Sequence, residues 1–264
     1  MIQDFLMHHA LELESSESES RRFGFEVARL LVPAGDAFSD DDITTLLQES
    51  KSALVILRVE SIRTPLSARL KSLTDFDVLH ADTLVYYRWS VDTSVKTVET
   101  RDEFQIVDNA SWNDVNSVLT ESFAEYRNHY SANPRLSSSV TLSGYQEWAS
   151  GLMRKPDTLT LLACEGSQPT GFVLLTIDRS AALAEIALNA VRPSNQRSGV
   201  YSTLMQEARR RMVALGNIRE IYISTQSDNR AVIGAWEKLG LTPALSLNTF
   251  HVMRRQAFGG QKLS

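Results

Sequence analysis

Residues 185–202 read EIALNAVRPSNQRSGVYS. The stretch begins as a strand: Ile186, Ala187, Leu188, Asn189, Ala190 and Val191 are mostly apolar, and Pro193, which has no N–H for a ladder, stops them. A polar turn follows, Ser194-Asn195-Gln196-Arg197-Ser198-Gly199. Beyond it, Leu204, Ala208 and Met212 recur at i, i+4 and i+8 with Met205 and Val213 beside them, which is one face of an amphipathic helix. A helix N-terminus offers unpaired N–H groups and a partial positive charge. A turn that wraps those groups around a phosphate needs a residue without a Cβ, and Gly199 supplies it. The order strand, polar turn, helix therefore predicts a diphosphate cradle.

Two common cradles do not fit. No Lys-Ser/Thr pair follows the glycine, and there is no Gly-x-Gly-x-x-Gly. What remains is Gln196-x-x-Gly199-x-Tyr201, and about thirty residues later Asn229-x-Ala231-x4-Trp236-Glu237-Lys238-Leu239-Gly240. The first resembles the Q/R-x-x-G-x-G/A loop of the GNAT superfamily of acyl-CoA N-acetyltransferases. The second resembles that superfamily's helix, which opens on Asn and closes on E-K-L-G-F/L. The resemblance covers roughly residues 103–255. Tyr201 departs from it, standing where the family has a small residue, which puts the path of the loop in question.

The chain has 264 residues, room for one large or two modest domains. A net charge of −5 argues against a nucleic-acid partner. The single cysteine, Cys164, excludes a disulfide framework and reads as a buried inert thiol. No stretch reads as a signal peptide or a membrane span, so the expected compartment is the cytoplasm. His8, His9, His80 and His251 show no metal spacing, and no metal is expected.

Along the chain, the acidic run ESSESES at 14–20 reads as a solvated loop and residues 23–31 as a strand. A helix capped by Ser39, a strand at 54–57, a helix carrying Leu66, Leu70 and Leu73, and a long strand or hairpin over 76–89 complete a βαβαβ half. Residues 103–264 read as a β-α-α-β-β-β-α-β-α-β domain. The fold class expected is α/β (α+β): a GNAT-type mixed central sheet flanked by helices, preceded by a smaller, partial GNAT-like domain. The boundaries are 1–92, a linker at 93–102, and 103–264.

Within the superfamily the chain looks most like the nucleotide-sugar N-acetyltransferases typified by TDP-fucosamine acetyltransferase. The residues are Phe23-Gly24-Phe25-x-x-Ala28-Arg29, Asp82-Thr83-Leu84-Val85-Tyr86-Tyr87 and Thr225-Gln226-x-x-Asn229-x-Ala231. The resemblance implies acetyl-CoA as co-substrate. Its diphosphate would be held by Gln196 to Ser202, through the N–H groups of Arg197, Ser198, Gly199, Val200 and Tyr201, with the Ser202 hydroxyl adding a contact. Asn189, Ala190 and Val191 would pair with the pantetheine arm, and the Val191 N–H would polarise the thioester oxygen. Asn229 would bond the pantetheine, where the plain alternative is a helix cap. Glu185 matches a catalytic glutamate that takes the amine proton, where the alternative is a strand-edge carboxylate. At the position of Trp236 the nucleotide-sugar enzymes carry a tyrosine that protonates the thiolate. An indole N–H can donate a hydrogen bond but cannot release a proton near neutral pH, and its size also suits core packing.

His129, Tyr130, Asn133 and Arg135 lie in the long loop that forms the acceptor wall of such enzymes. The expected reaction is direct transfer of acetyl to a primary amine in a ternary complex, the acceptor being a nucleotide-linked amino sugar or another small amine. The expected partners are that amine and a second copy of the chain, with no nucleic acid and no membrane. Two rivals stay open: a protein or peptide acetyltransferase of the same fold, and a non-catalytic acyl-CoA-binding sensor.

Overall fold

The computed structural model describes residues 2–7, 10–35, 37–91, 104–108 and 110–259. The expected linker at 93–102 lies outside them. In chain order the elements are α1 (Ile2–Met7), β1 (Leu13–Ser15), α2 (Glu17–Phe23), β2 (Val27–Leu31), α3 (Asp40–Glu49), β3 (Leu54–Glu60), α4 (Thr64–Lys71) and β4 (Phe76–Ser90). Then follow β5 (Gln105–Asp108), α5 (Trp112–Phe123), α6 (Thr141–Met153), β6 (Thr158–Glu165), β7 (Gln168–Asp178), β8 (Leu183–Val191), α7 (Val200–Leu215), β9 (Glu220–Gln226), α8 (Arg230–Lys238) and β10 (Thr242–Arg254).

Two compact units form, both discontinuous in sequence. Unit 1 gathers the described residues up to Val85, Arg127–Val140 and those from Leu245 onward, and unit 2 those of Tyr86–Tyr126 and Thr141–Ala244. Each is a mixed sheet flanked by helices, the expected class.

In unit 1 the strand order is β1-β2-β3-β10-β4. β2 and β3 run parallel, while β1 and β10 pair antiparallel on either side of them. Ile43 and Leu47 of α3 and Leu66 and Leu70 of α4 bury against Leu30, Leu57 and Val252. The 127–140 segment, which contains short 3₁₀ turns, packs Tyr130 and Leu136 with Val27, Ile56 and Met253. Two expectations are corrected here. The acidic run at 14–20 is strand β1 and helix α2, not a solvated loop. Helical spacing turns Glu19 inward to 0% exposure, where Arg29 clasps it at 2.7 and 2.9 Å. The strand read from residue 23 begins at Val27, because Phe23 closes α2 and Gly24 caps it at φ 77°.

In unit 2 the order is β4-β9-β8-β7-β6-β5. α5 and α6 cover one face, packing Val115, Val118, Leu119, Phe123, Ala149 and Leu152 on Phe172, Leu174, Leu188 and Ala190. α7 covers the other face, as strand alternation requires of Gly171, which lies next to Phe172 and faces Val200 and Leu204. Cys164 is buried in β6 and burial raises its thiol pKa. Among the described residues no helix is long and apolar enough to cross a membrane.

Candidate active site

β8 is the organising strand. It pairs with β7 through Gly171↔Val191, but with β9 only from Leu183↔Glu220 to Ile186↔Ile223. Past Ile186 the two central strands of unit 2 therefore part. The Arg192 N–H donates to Thr170 O at 2.8 Å, continuing the β7 ladder. Antiparallel bonding alternates, so Ala190 bonds to β7 while Asn189 and Val191 turn their backbone groups toward the side that β9 has left. The end of α5 reaches both parted strands: Ser122 Oγ donates to Val191 O at 3.2 Å, and the Tyr126 hydroxyl donates to Gln226 Oε1 at 2.6 Å.

A register shift lies in the same strand. Leu174 faces Leu188 but Leu175 faces Ile186, so β8 carries one extra residue, Ala187. The bulge sets Glu185 opposite Thr176, on the face covered by α5 and α6, and the side chain is 2% exposed.

After Val191 the chain makes a 3₁₀ turn at Pro193–Asn195 and enters the predicted cradle. The Ser198 hydroxyl donates to Asn195 O at 2.7 Å. Arg197 takes φ 65° and Gly199 φ 100°, the left-handed region in which a glycine costs least. α7 then starts at Val200 with no side-chain cap and no acidic residue in its first turn. The first N–H groups of any helix have no partner within it, and among the described residues no side chain caps them. Ser202 is otherwise engaged, its hydroxyl donating to Gly199 O at 2.8 Å.

The start of α7 is set close to the sheet. A Cβ on Gly171 would lie 3.0 Å from Ala190 O, Leu204 Cδ1 and Val200 Cγ1. Arg192, 8% exposed, braces the same corner: its guanidinium donates to Pro169 O at 2.6 Å, to Ser117 Oγ at 2.9 Å, and to Glu121.

Asn229 does not cap α8; its Nδ2 donates to Thr225 Oγ1 at 3.0 Å. Trp236 is 1% exposed and packs against the Tyr87 ring at 5.4 Å, and its Nε1 donates to the Tyr201 hydroxyl at 2.6 Å. Burial raises the Tyr201 pKa, the indole N–H opposing it more weakly.

The structure thus gathers Asn189–Ser202, Asn229 and Trp236 in unit 2. The four expected acceptor residues lie in unit 1, with partners of their own. His129 Nδ1 meets His251 Nε2 at 2.8 Å, and Asn133 Nδ2 donates to His251 Nδ1 at 3.0 Å. Tyr130 donates to Glu19, and Arg135 pairs with Asp77 at 2.9 Å. His129, Tyr130 and Asn133 are all buried. Burial pushes Glu19 up, but Arg29, Ser16 and Tyr130 outweigh it and hold it down to about 2. Burial lowers His251 to about 4, with Glu19 opposing and Arg58 adding, and it lowers His129 further below its usual value, with His251, Arg58 and Arg29 adding. Sequence reading missed Gly171, Ser122, Tyr126 and the Trp236–Tyr201 bond. Only a glycine inside an otherwise apolar strand hinted at the first.

Residues 112–241 match the Acetyltransferase (GNAT) family. The fold is similar to a GCN5-related N-acetyltransferase from Sphaerobacter thermophilus, with TM-score 0.62 and 13% identity over 95% of this chain and 78% of that one. It is also similar to a GCN5-related N-acetyltransferase from Kribbella flavida, with TM-score 0.60 and 12% identity over 95% and 91%. A functionally unknown conserved protein from Staphylococcus epidermidis ATCC 12228 aligns at TM-score 0.61 and 14% identity over 96% and 97%. At these identities the likeness is one of fold. No curated protein matches the chain. Over residues 112–241, just under half of its length, the chain is similar in sequence to the GNAT acetyltransferases.

Proposed function

We propose that the protein transfers acetyl from acetyl-CoA to the primary amine of a small molecule by direct attack in a ternary complex. The acceptor class we propose is a nucleotide-linked amino sugar. The observation that carries the reading is the uncapped, acid-free start of α7 beside the parted ends of β8 and β9. The residues fit the co-substrate. A diphosphate suits the N–H groups from Arg197 to Tyr201 and the positive end of α7. An extended amide arm suits the backbone of Asn189 and Val191, turned from β7. The Val191 N–H would polarise the thioester oxygen as the amine attacks. Glu185 would take the amine proton, which requires the covering α5–α6 face to admit it. The single cysteine is buried in β6, which favours direct attack over a cysteinyl intermediate.

Free-thiol release from acetyl-CoA, scored over a panel of amino sugars and nucleotide-linked amino sugars, tests the acceptor class. Turnover on the nucleotide-linked members is expected to exceed that on free sugars. Acetyl-CoA binding without turnover on any amine favours a sensor. Glu185→Gln is expected to cut turnover by roughly 10²–10⁴-fold, the usual worth of a general base. That loss should shrink at high pH, where the amine is already neutral. A variant with the wild-type rate and pH profile assigns Glu185 to structure.

A further inference from the structure

Ser122 and Tyr126 stand four residues apart at the end of α5, and each reaches a different strand where β8 and β9 have parted. Ser122 Oγ donates to Val191 O at 3.2 Å, and the Tyr126 hydroxyl donates to Gln226 Oε1 at 2.6 Å. The Tyr126 N–H donates to Phe123 O at 3.2 Å, so one more turn of backbone continues past the last residue of α5. The Tyr126 ring lies 4.9 Å from that of Phe123 and 5.6 Å from that of Tyr145, and Phe123 lies 4.5 Å from Tyr145. Phe123 is buried in the core under α5 and α6, which anchors this end of the helix. An extended residue points its N–H and C=O the same way. Val191 therefore turns both toward the side that β9 has left, one a donor and the other an acceptor. Amine attack builds negative charge on the thioester oxygen, which donors stabilise and a bare carbonyl would repel. An unpaired carbonyl on a residue as buried as Val191 also costs free energy of its own. Ser122 takes that carbonyl.

Resting on the coenzyme A reading above, we propose that Ser122 is a positioning residue for the transfer. Its hydroxyl takes up the Val191 carbonyl and leaves the Val191 N–H as the group that polarises the thioester oxygen. The bond from Tyr126 to Gln226 fixes the end of β9 from the same anchor, so one helix end sets both sides of the gap. Ser122 acts through the backbone of Val191 and exchanges no proton with the substrate.

The test reads the bound carbonyl itself. Acetyl-CoA isotope-labelled at the thioester carbonyl carbon is bound, and its infrared difference from the unlabelled compound isolates that one stretch. Calorimetric affinity and a thermal melt are taken on the same samples. In wild type the stretch is expected to fall below that of free acetyl-CoA, because a donor to the oxygen weakens the C=O bond. Ser122→Ala is expected to bind acetyl-CoA and to lose at least half of that fall. Ser122→Thr, which restores the hydroxyl, is expected to recover it. Should Ser122→Ala fail to fold, Ser122→Cys, close in shape and a weaker donor, carries the test and is expected to lose part of the fall. An equal fall in wild type and in the folded Ala or Cys variant, with acetyl-CoA bound, overturns this inference alone. A wild type that binds acetyl-CoA without lowering the stretch overturns the polarising role of Val191 and this inference with it. A wild type that binds no acetyl-CoA overturns the functional reading as well.

Discussion

α3 and α7 stand at the same place in the same local order of strand, turn, helix and parallel strand, one in each unit. Their first turns are opposites. α3 opens on Ser39, whose hydroxyl accepts from Asp42 N while the Asp42 carboxylate accepts from Ser39 N at 2.8 Å. Asp40 and Asp41 add more negative charge to that turn. α7 opens on Gly199 with no cap and no acid. One helix satisfies its own positive end, and the other has no cap and no acidic residue at that end. The contrast extends through each unit. Unit 1 closes Glu19, Arg29, Tyr130, His129, Asn133 and His251 into bonds with one another. Unit 2 parts two central strands. A shared local order therefore does not imply a shared first turn; the side chains at the helix start decide it.

The sharpest way to break the contrast is to write the acidic start of α3 into α7. Gly199→Asp is expected to weaken acetyl-CoA binding on the order of a thousandfold, about 4 kcal/mol. Left-handed backbone at this position adds a stability cost of about 1–2 kcal/mol. Calorimetry and melting on the same sample separate the two effects. Unchanged affinity in a folded variant would remove the cradle assignment.

Acid should attack unit 1 first. Asn133 Nδ2 donates to His251 Nδ1, so, with the amide oriented this way, His251 carries its proton on Nε2 and donates to His129. Protonating either ring sets N–H against N–H. An unfolded histidine binds its proton near pH 6.5, whereas His251 does so near 4. The unfolded state therefore binds more protons as pH falls below about 6.5, and stability is lost down to about 4. Such a gap is worth about 3 kcal/mol for one group. Glu19, with its depressed pKa, contributes stability that is lost only at lower pH still. Thermal melts across that window check this, with His251→Gln as control. Equal pH dependence in the two proteins contradicts the closed-network account.

Gly171→Ala sharpens the picture of unit 2. A Cβ at 3.0 Å from Ala190 O and from two side chains near the start of α7 must push that helix outward. The expected cost is about 1–3 kcal/mol of stability, with weaker acetyl-CoA binding. A variant as stable and as tight-binding as wild type would show that the helix start tolerates the shift. The smallest effect is expected from Ser39→Ala, about 1 kcal/mol of stability with acetyl-CoA affinity unchanged. Any loss of affinity there would contradict the separate roles of the two helix starts.

Much of the local structure around the candidate site was legible because its signals are local. Gly199 in a polar turn between a strand and a periodic helix marks the start of α7, where it takes φ 100°. The i, i+4, i+8 spacing of Leu204, Ala208 and Met212 marks the buried face of α7, where all three are fully covered. The acceptor loop was legible as a segment but not in its surroundings. Aromatic and polar residues in a long loop read as a ligand wall, and the structure gives His129, Tyr130, Asn133 and Arg135 partners within unit 1.

The sequence by itself determined element order, the cap at Ser39 and the glycine-opened turn. Each rests on residues within a turn or two of one another, so backbone sterics and helix dipoles act on them without the rest of the chain. Tertiary structure alone decided which buried polar groups find partners: Glu19 with Arg29, His129 with His251, and Trp236 with Tyr201. It also decided where β9 leaves β8, and that Gly171 faces α7. The physical reason is distance along the chain. The histidines are separated by 122 residues, and Trp236 and Tyr201 by 35. No periodicity or capping rule spans such separations, and only the packed sheet and its helices bring those side chains within hydrogen-bonding reach.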